Sequence, residues 1–137
     1  MRIDLYQETE PGDPVLEIPW ADPEHPANRY MDVKRHPEGA IELEECRRYP
    51  ALGQFLLRVN SAESSFRTAK CDVWASADLE LEERLDFGLP CKVGSYADLM
   101  FDHADLNSRL EPYQQFASGL ELHLKDRTPQ VHLEIYI

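Results

Sequence analysis

Hydrophobic and polar residues alternate regularly near the end of the chain. The alternation runs over residues 120–125 and returns over residues 131–137, with Leu, Val or Ile at every second position. A period of two is typical of strands that bury one face and expose the other. The turn-forming sequence Asp-Arg-Thr-Pro lies between these runs, at residues 126–129. The pattern therefore predicts a C-terminal antiparallel β-hairpin.

Three further segments have weaker strand patterns: residues 3–7, 66–76 and 92–102. In the second of these, small apolar residues such as Cys71 and Val73 alternate with polar residues and with Trp74, so we expect the Cys71 side to face the core. Trp74 is then expected either to be half exposed or to pack under a loop. The segment 77–92 fits either a strand or a short acidic helix.

Spacings of three and four residues mark the helical segments. Apolar residues recur at this spacing on both sides of Pro50, and we expect Pro50 to begin a second helix at its first position. Ser108 and Glu111 fit a capping box, which predicts the start of another helix. Gly119 is expected to follow the last turn of that helix.

Strands combined with two or three helices predict an α+β fold. We expect a single domain over residues 1–137, with a largely antiparallel sheet and the helices on one of its faces. The acidic segment 8–29 contains five prolines within residues 11–26, and proline disfavours helix. We expect this segment to be extended, with a short edge strand at residues 15–18, and to be packed on the domain through Trp20.

Acidic residues outnumber basic ones by 26 to 14, which gives the chain a net charge of −12. Binding to a nucleic-acid backbone or to anionic lipid needs a basic surface, so we expect neither ligand. No apolar run reaches the roughly 18 residues that a membrane-spanning helix needs, so we do not expect the chain to associate with a membrane. The charge favours a basic protein as the partner, and the same acidity also serves solubility.

The densest acidic cluster follows Trp74 along the chain. Its members are Asp78, Glu80, Glu82, Glu83 and Asp86. An exposed aromatic residue beside clustered carboxylates suits the surface of a basic protein. We therefore predict that these five acids and Trp74 bind the partner.

The three cysteines, Cys46, Cys71 and Cys91, form no Cys-x-x-Cys pair. The sequence therefore indicates neither a zinc ribbon nor a thioredoxin-like centre. Because the number is odd and the chain does not open on a basic and then apolar segment, we expect free thiols in a reducing compartment, the cytoplasm. Lys70 could lower the pKa of the Cys71 thiol, but strand alternation places the two on opposite sides and favours a core thiol.

Two groups of residues could carry metal or acid–base chemistry if the fold brings them together. The first comprises Asp98, Asp102, His103 and Asp105, whose side chains are of types that bind cations or transfer protons. If the strand continues, Asp102 and His103 point apart, because adjacent strand residues alternate faces. The alternative is that the carboxylates serve as turn and cap groups while His103 faces solvent.

The second group lies on the polar face of the predicted hairpin. His123 and His132 would be near neighbours there, flanked by Glu121 and Glu134. Such a set could hold zinc or form a pH-sensitive surface, and a merely solvated sheet face carries the same residue types. The chain contains no phosphate-binding loop, nucleophile elbow or His-Glu-x-x-His motif. We therefore expect no catalytic residue, no metal site and no cofactor.

These observations predict a small protein-binding module that acts on a basic partner, as inhibitors and immunity proteins do. The alternative is a small-molecule-binding protein or enzyme with a cleft between sheet and helices, near Cys91, Tyr96, His103 and Tyr113. A homo-oligomer is a third reading, because the strand at residues 131–137 could offer an exposed edge.

Overall fold

Helices and strands both occur in the computed structural model, which describes residues 2–7, 18–88, 90–124 and 132–137. The elements in chain order are β1 (Arg2–Tyr6), α1 (Gly39–Glu42), α2 (Glu44–Arg48), α3 (Pro50–Val59), β2 (Phe66–Ser76), α4 (Leu81–Phe87), β3 (Lys92–Phe101), α5 (Ala104–Asn107), α6 (Leu110–Leu124) and β4 (His132–Tyr136). The α+β class is therefore confirmed.

The chain divides into two compact units. One consists of Met1–Leu16 with Ala104–Ile137, and the other is the continuous segment Glu17–His103. The first unit holds β1, α5, α6 and β4, and the second holds α1 to α4 with β2 and β3. A division into compact units does not test whether residues 1–137 fold as one domain, so the single domain stays a prediction.

In the second unit, β2 and β3 form an antiparallel pair. Phe66 lies opposite Phe101 at one end and Ser76 lies opposite Lys92 at the other, with a register shift between Thr68 and Cys71. Both strands lie where their alternating patterns predicted them. The segment between them, which fitted either a strand or a helix, contains the helix α4.

The core of this unit lies under one face of the pair. Leu52 and Leu56 share one face of α3 and pack with Cys46 of α2, while Cys71 and Val73 of β2 cover this cluster. Leu56 is completely buried. The alternation of β2 therefore placed the Cys71 side correctly against the core.

Pro50 occupies the first turn of α3, as predicted, where its missing N–H leaves no helical hydrogen bond unmade. At the other end of the same helix, a buried polar group joins the helix to the sheet. The side chain of Asn60 donates to the carbonyl of Leu56 and to Oγ1 of Thr68, each at 2.9 Å. Its Oδ1 accepts the backbone N–H of Thr68 at 3.0 Å. Both amide N–H donors of Asn60 and one acceptor site of its oxygen are thus used inside the protein.

In the first unit, β1 and β4 pair in parallel, with Arg2 opposite His132 and Tyr6 opposite Tyr136. The rings of Tyr6 and Tyr136 stack with centroids 4.9 Å apart. The predicted C-terminal hairpin is thus only partly confirmed. Its second strand exists as β4, but that strand pairs with β1.

The first strand of the predicted hairpin is wrong, because α6 continues through Gly119 to Leu124. Leu120 and Leu124 are one helical turn apart, and they extend a stripe that begins with Tyr113 and contains the buried Ala117. An alternation of three leucines therefore fits a helix equally well, with the middle leucine exposed. The predicted turn, residues 126–129, lies outside the described residues.

The helix starts also differ from the predicted capping. The Ser108 hydroxyl donates to the carbonyl of Asp105 at 3.1 Å, and α6 begins at Leu110. A capping box occurs instead at the start of α4, between Glu80 and Glu83. Gly88 ends α4 in the left-handed conformation, with φ of 62°, which glycine adopts without steric cost.

The predicted largely antiparallel sheet is confirmed only in part: among the described residues β2 and β3 form an antiparallel sheet, whereas β1 and β4 form a second, parallel one. The edge strand predicted at residues 15–18 lies almost wholly outside the described residues. Trp20 does anchor its segment, since its indole N–H donates to the carbonyl of Ala69 at 2.7 Å. Among the described residues, no helix is both long and apolar enough to cross a lipid bilayer.

Candidate functional site

One face of the β2–β3 pair points away from the helical core. Opposed residues on antiparallel strands share a face, so Asp72, Trp74 and Ser76 of β2 lie on one side with Tyr96, Gly94 and Lys92 of β3. We call these six residues the Trp74 face. Trp74 and Tyr96 are 45% and 47% exposed, which is unusual for side chains of their size.

The indole of Trp74 lies across the neighbouring strand. A Cβ atom added to Gly94 would stand 2.5 Å from both Cε2 and Cζ2 of Trp74 and 2.9 Å from its Nε1. Only a residue without a side chain allows the ring to approach this backbone so closely. The pairing of Trp74 with Gly94 therefore fixes where the exposed ring lies.

Carboxylates surround Tyr96 on the same side of β3 and β2. Asp72 lies directly opposite Tyr96, and Asp98 lies two residues further along β3. Burial, with Asp98 and Asp72 adding to its effect, raises the pKa of the Tyr96 hydroxyl. Partial burial likewise raises the pKa of Asp98, although the charge of Lys70 opposes the shift. Aromatic rings and carboxylates therefore lie together on this side of the strand pair.

The connection from β2 to β3 carries the predicted acidic cluster. Asp78 and Glu80 are exposed, and Glu80 accepts a backbone N–H at the start of α4. Glu83 returns the capping bond and accepts Lys92 Nζ at 2.6 and 2.8 Å. Glu82 and Asp86 have side chains outside the described part of the structure.

Two leucines of α4 are the most exposed apolar residues of this region. Leu81 and Leu85 are one helical turn apart and are 71% and 75% exposed. Residues four apart share one side of a helix, so the two exposed leucines lie side by side on α4. These leucines and Gly94 were not among the residues predicted for any site, and Tyr96 was predicted only for the alternative cleft. The helical spacing of the leucines and the glycine within a strand were the available signals.

The first candidate group, which comprises Asp98, Asp102, His103 and Asp105, does not come together as a metal site. Asp102 pairs with Arg67 and, at 3.3 Å, with Lys34. The hydrogen bond that Arg67 donates is the main cause of a lowered pKa at Asp102, and the hydrogen bond from Lys34 adds to it. His103 and Asp105 are exposed. Among the described residues, no group of three or more His, Cys, Asp or Glu side chains has the geometry to hold a metal ion.

The two histidines of the second candidate group, His123 and His132, lie on different elements. His123 is exposed in the last turn of α6, and His132 is the first residue of β4. His132 Nε2 lies 2.8 Å from Asp4 and 3.7 Å from Glu134. The hydrogen bond with His132 is the main cause of a lowered pKa at Asp4. The predicted hairpin face thus does not exist, and Asp4 is the partner that the sequence analysis missed.

The three thiols are all free. Burial raises the pKa of Cys71 to about 11, and the pKa of the buried Cys46 is also raised. A thiol with a raised pKa is a poor nucleophile at neutral pH. Cys91 is exposed. These environments supply no activated thiolate at Cys46 or Cys71.

A shallow groove of about 230 Å³ lies among the helices of the second unit. Apolar residues such as Ile41, Cys46, Pro50 and Leu57 line it. Arg47 also lines it, while its guanidinium donates to the backbone carbonyls of α1 residues. The groove lies between helices, whereas the predicted cleft lay between sheet and helices.

Of the four residues suggested for that cleft, none lines this groove. Cys91, Tyr96 and His103 belong to the second unit, and Tyr113 belongs to the first, where its hydroxyl donates to Asn107 at 2.6 Å. Comparison of the chain with models of protein families, with curated protein sequences and with solved structures gave no match.

Proposed function

We propose that the chain is a protein-binding module that recognises a basic protein through Trp74 and the acidic segment that follows it. The observation that carries this proposal is the combination of exposed apolar and acidic side chains in one stretch. Trp74, Leu81 and Leu85 are exposed, and the carboxylates of Asp78 and Glu80 lie between them along the chain. Interfaces combine buried apolar anchors with a polar rim in this way.

Charge supports a basic partner for this region. The net charge of −12 attracts a basic protein over long range. Within the region, Lys92 is already paired with Glu83, so it does not offset the carboxylates of Asp78 and Glu80. Complementary charge raises the rate of association more than it lowers the rate of dissociation. The apolar side chains would then supply the lasting contacts.

The test is binding of a basic probe protein, hen egg lysozyme, over a series of salt concentrations. Salt screens exposed charges over about 8–10 Å, so affinity should fall as salt rises. The double variant Asp78→Asn, Glu80→Gln should lose more affinity than the control Glu42→Gln, Glu44→Gln, which removes two exposed acids elsewhere. Equal losses in the two variants would contradict binding at the acidic segment.

A second candidate function follows from the groove between α1, α2 and α3. A groove of this size and lining suits a small apolar molecule. The probe is benzene, observed through the methyl shifts of Ile41 and Leu57 by nuclear magnetic resonance. Saturable shifts that Leu57→Gln abolishes would support this alternative, and unchanged methyl shifts would exclude benzene-sized apolar ligands.

A further inference from the structure

Trp74 offers a flat aromatic surface whose position the neighbouring strand holds. The closest atoms to Gly94 belong to the fused part of its indole, so one side of the ring rests on the backbone of β3. With 45% of the residue exposed, the ring also presents surface to solvent. An indole is the strongest aromatic partner for a cation placed over its face.

A carboxylate shares this sheet face with the ring. Asp72 is two residues before Trp74 on the same side of β2 and directly opposite Tyr96. One carboxylate oxygen of Asp72 accepts the backbone N–H of Val73 at 2.6 Å, which restricts the side chain to the strand. A negative charge and two aromatic rings are thus arranged on one sheet face.

The lysines near this face have partners within the chain. Lys92 pairs with Glu83. Lys70 Nζ lies 5.1 Å from the ring centroid of Trp20, so this protein already uses an indole to bind a cation. These two lysines therefore do not compete for Trp74 and Asp72.

We propose that the Trp74 face binds an arginine side chain of a basic protein, with the guanidinium stacked on Trp74 and its N–H groups directed to Asp72. This inference rests on the proposed function and names the chemistry of the partner. Arginine suits the face better than lysine, because its guanidinium is planar, stacks on aromatic rings and binds a carboxylate through two N–H groups.

The test uses a short blocked peptide of alternating glycine and arginine, with lysine and citrulline counterparts of the same length. Binding is followed by nuclear magnetic resonance of the Trp74 indole N–H, which the Trp74→Leu spectrum identifies. The arginine peptide should bind most tightly, the lysine peptide less tightly, and the uncharged citrulline peptide least. The indole N–H of Trp20 should shift less than that of Trp74.

Three variants separate stacking from simple attraction. Trp74→Leu removes the ring, and Gly94→Ala keeps the ring but forces it off the strand, so each should weaken the arginine peptide about two- to fivefold. Asp72→Asn should reduce the preference for arginine over lysine. Gly119→Ala is the matched control, because a Cβ there meets nothing within 4 Å, and it should leave affinity unchanged.

The outcomes distinguish this inference from the proposed function. Equal binding of the arginine and lysine peptides, unaffected by Trp74→Leu and Gly94→Ala, would overturn the arginine site while leaving a charge-driven module. Binding of neither charged peptide at low salt would contradict both. If Trp74→Leu perturbs the whole spectrum, Gly94→Ala and Asp72→Asn still decide the question.

Discussion

The two ends of the β2–β3 pair have opposite surroundings. At the end formed by residues 66–68 and 99–101, Phe66 and Phe101 lie 4.8 Å apart between ring centroids and Thr68 is buried against Asn60. At the other end, Trp74 and Tyr96 are about half exposed. We call the end with Phe66 and Phe101 the clamped end, and the end with Trp74 and Tyr96 the open end. The clamped end is typical of positions that maintain the fold, whereas the open end is available for contact with another molecule.

The largest effect should come from the core beside the clamped end. Leu56→Ala should lower the free energy of unfolding by about 2–5 kcal/mol, because a completely buried leucine leaves a cavity. Leu85→Ala, next to the open end, should change it by no more than about 0.5 kcal/mol. Urea unfolding of both variants measures the difference. Similar losses would mean that Leu85 is buried in solution.

Asn60→Ala should have the next largest effect, about 1–3 kcal/mol, because the backbone N–H of Thr68 would lose its partner while remaining buried. The comparison variant Thr68→Val keeps that N–H bond but leaves one amide N–H of Asn60 without its acceptor, so it should cost less than Asn60→Ala, which removes all three bonds of the side chain. The same unfolding experiment applies. A larger loss in Thr68→Val than in Asn60→Ala would contradict this assignment of the bonds.

Asp98 of β3 and Asp102, which directly follows β3, should respond to pH in opposite directions. The folded protein lowers the pKa of Asp102 below 3.8, so its stabilisation is present above that value and is lost as pH falls through the folded pKa. It raises the pKa of Asp98 above 3.8, so protonation of Asp98 stabilises the fold and stability is lost as pH rises through its folded pKa.

Carboxyl resonances followed from pH 2 to pH 7 check both directions. Asp102→Asn should reduce stability at pH 7 and flatten its loss in acid, and Asp98→Asn should increase stability at pH 7. Arg67→Lys is a control that retains the charge next to Asp102 but removes the planar guanidinium. Titration of both aspartates on the same side of 3.8 would refute the difference in environment.

Local sequence patterns predicted β2, β3 and α3 better than they predicted the pairing of β1 with β4 or the extent of α6. Alternation located β2 and β3, and a single proline located the start of α3, because these signals depend on neighbouring residues. The pairing of β1 with β4 joins the two ends of the chain in parallel, and no local pattern specifies such a partner. The strand predicted at residues 120–125 was wrong for a different reason, because the spacing of Leu120 and Leu124 fits both a strand and a helix.

The candidate site was predicted in residue type rather than in arrangement. Clustered acids and one tryptophan are visible in the sequence, and both led to the open end. The position of the Trp74 indole against Gly94 depends on the register between β2 and β3, which a sequence pattern does not specify. For the same reason, the neighbour of His132 was sought at His123, although the parallel pairing brings Asp4 to it.

The smallest effect should come from the ion pair that ties α4 to the open end. Glu83→Gln keeps an acceptor for the N–H of Glu80 but loses the charge that binds Lys92, and partly exposed pairs contribute about 0–1 kcal/mol. Glu83→Ala also loses the capping bond and should cost about 0.5–2 kcal/mol more. Hydrogen exchange of α4 amides measures both steps. If Glu83→Gln opened α4 as much as Glu83→Ala does, the ion pair rather than the cap would hold the helix. Faster exchange at the clamped end as well would mean that the two ends of the strand pair do not open independently.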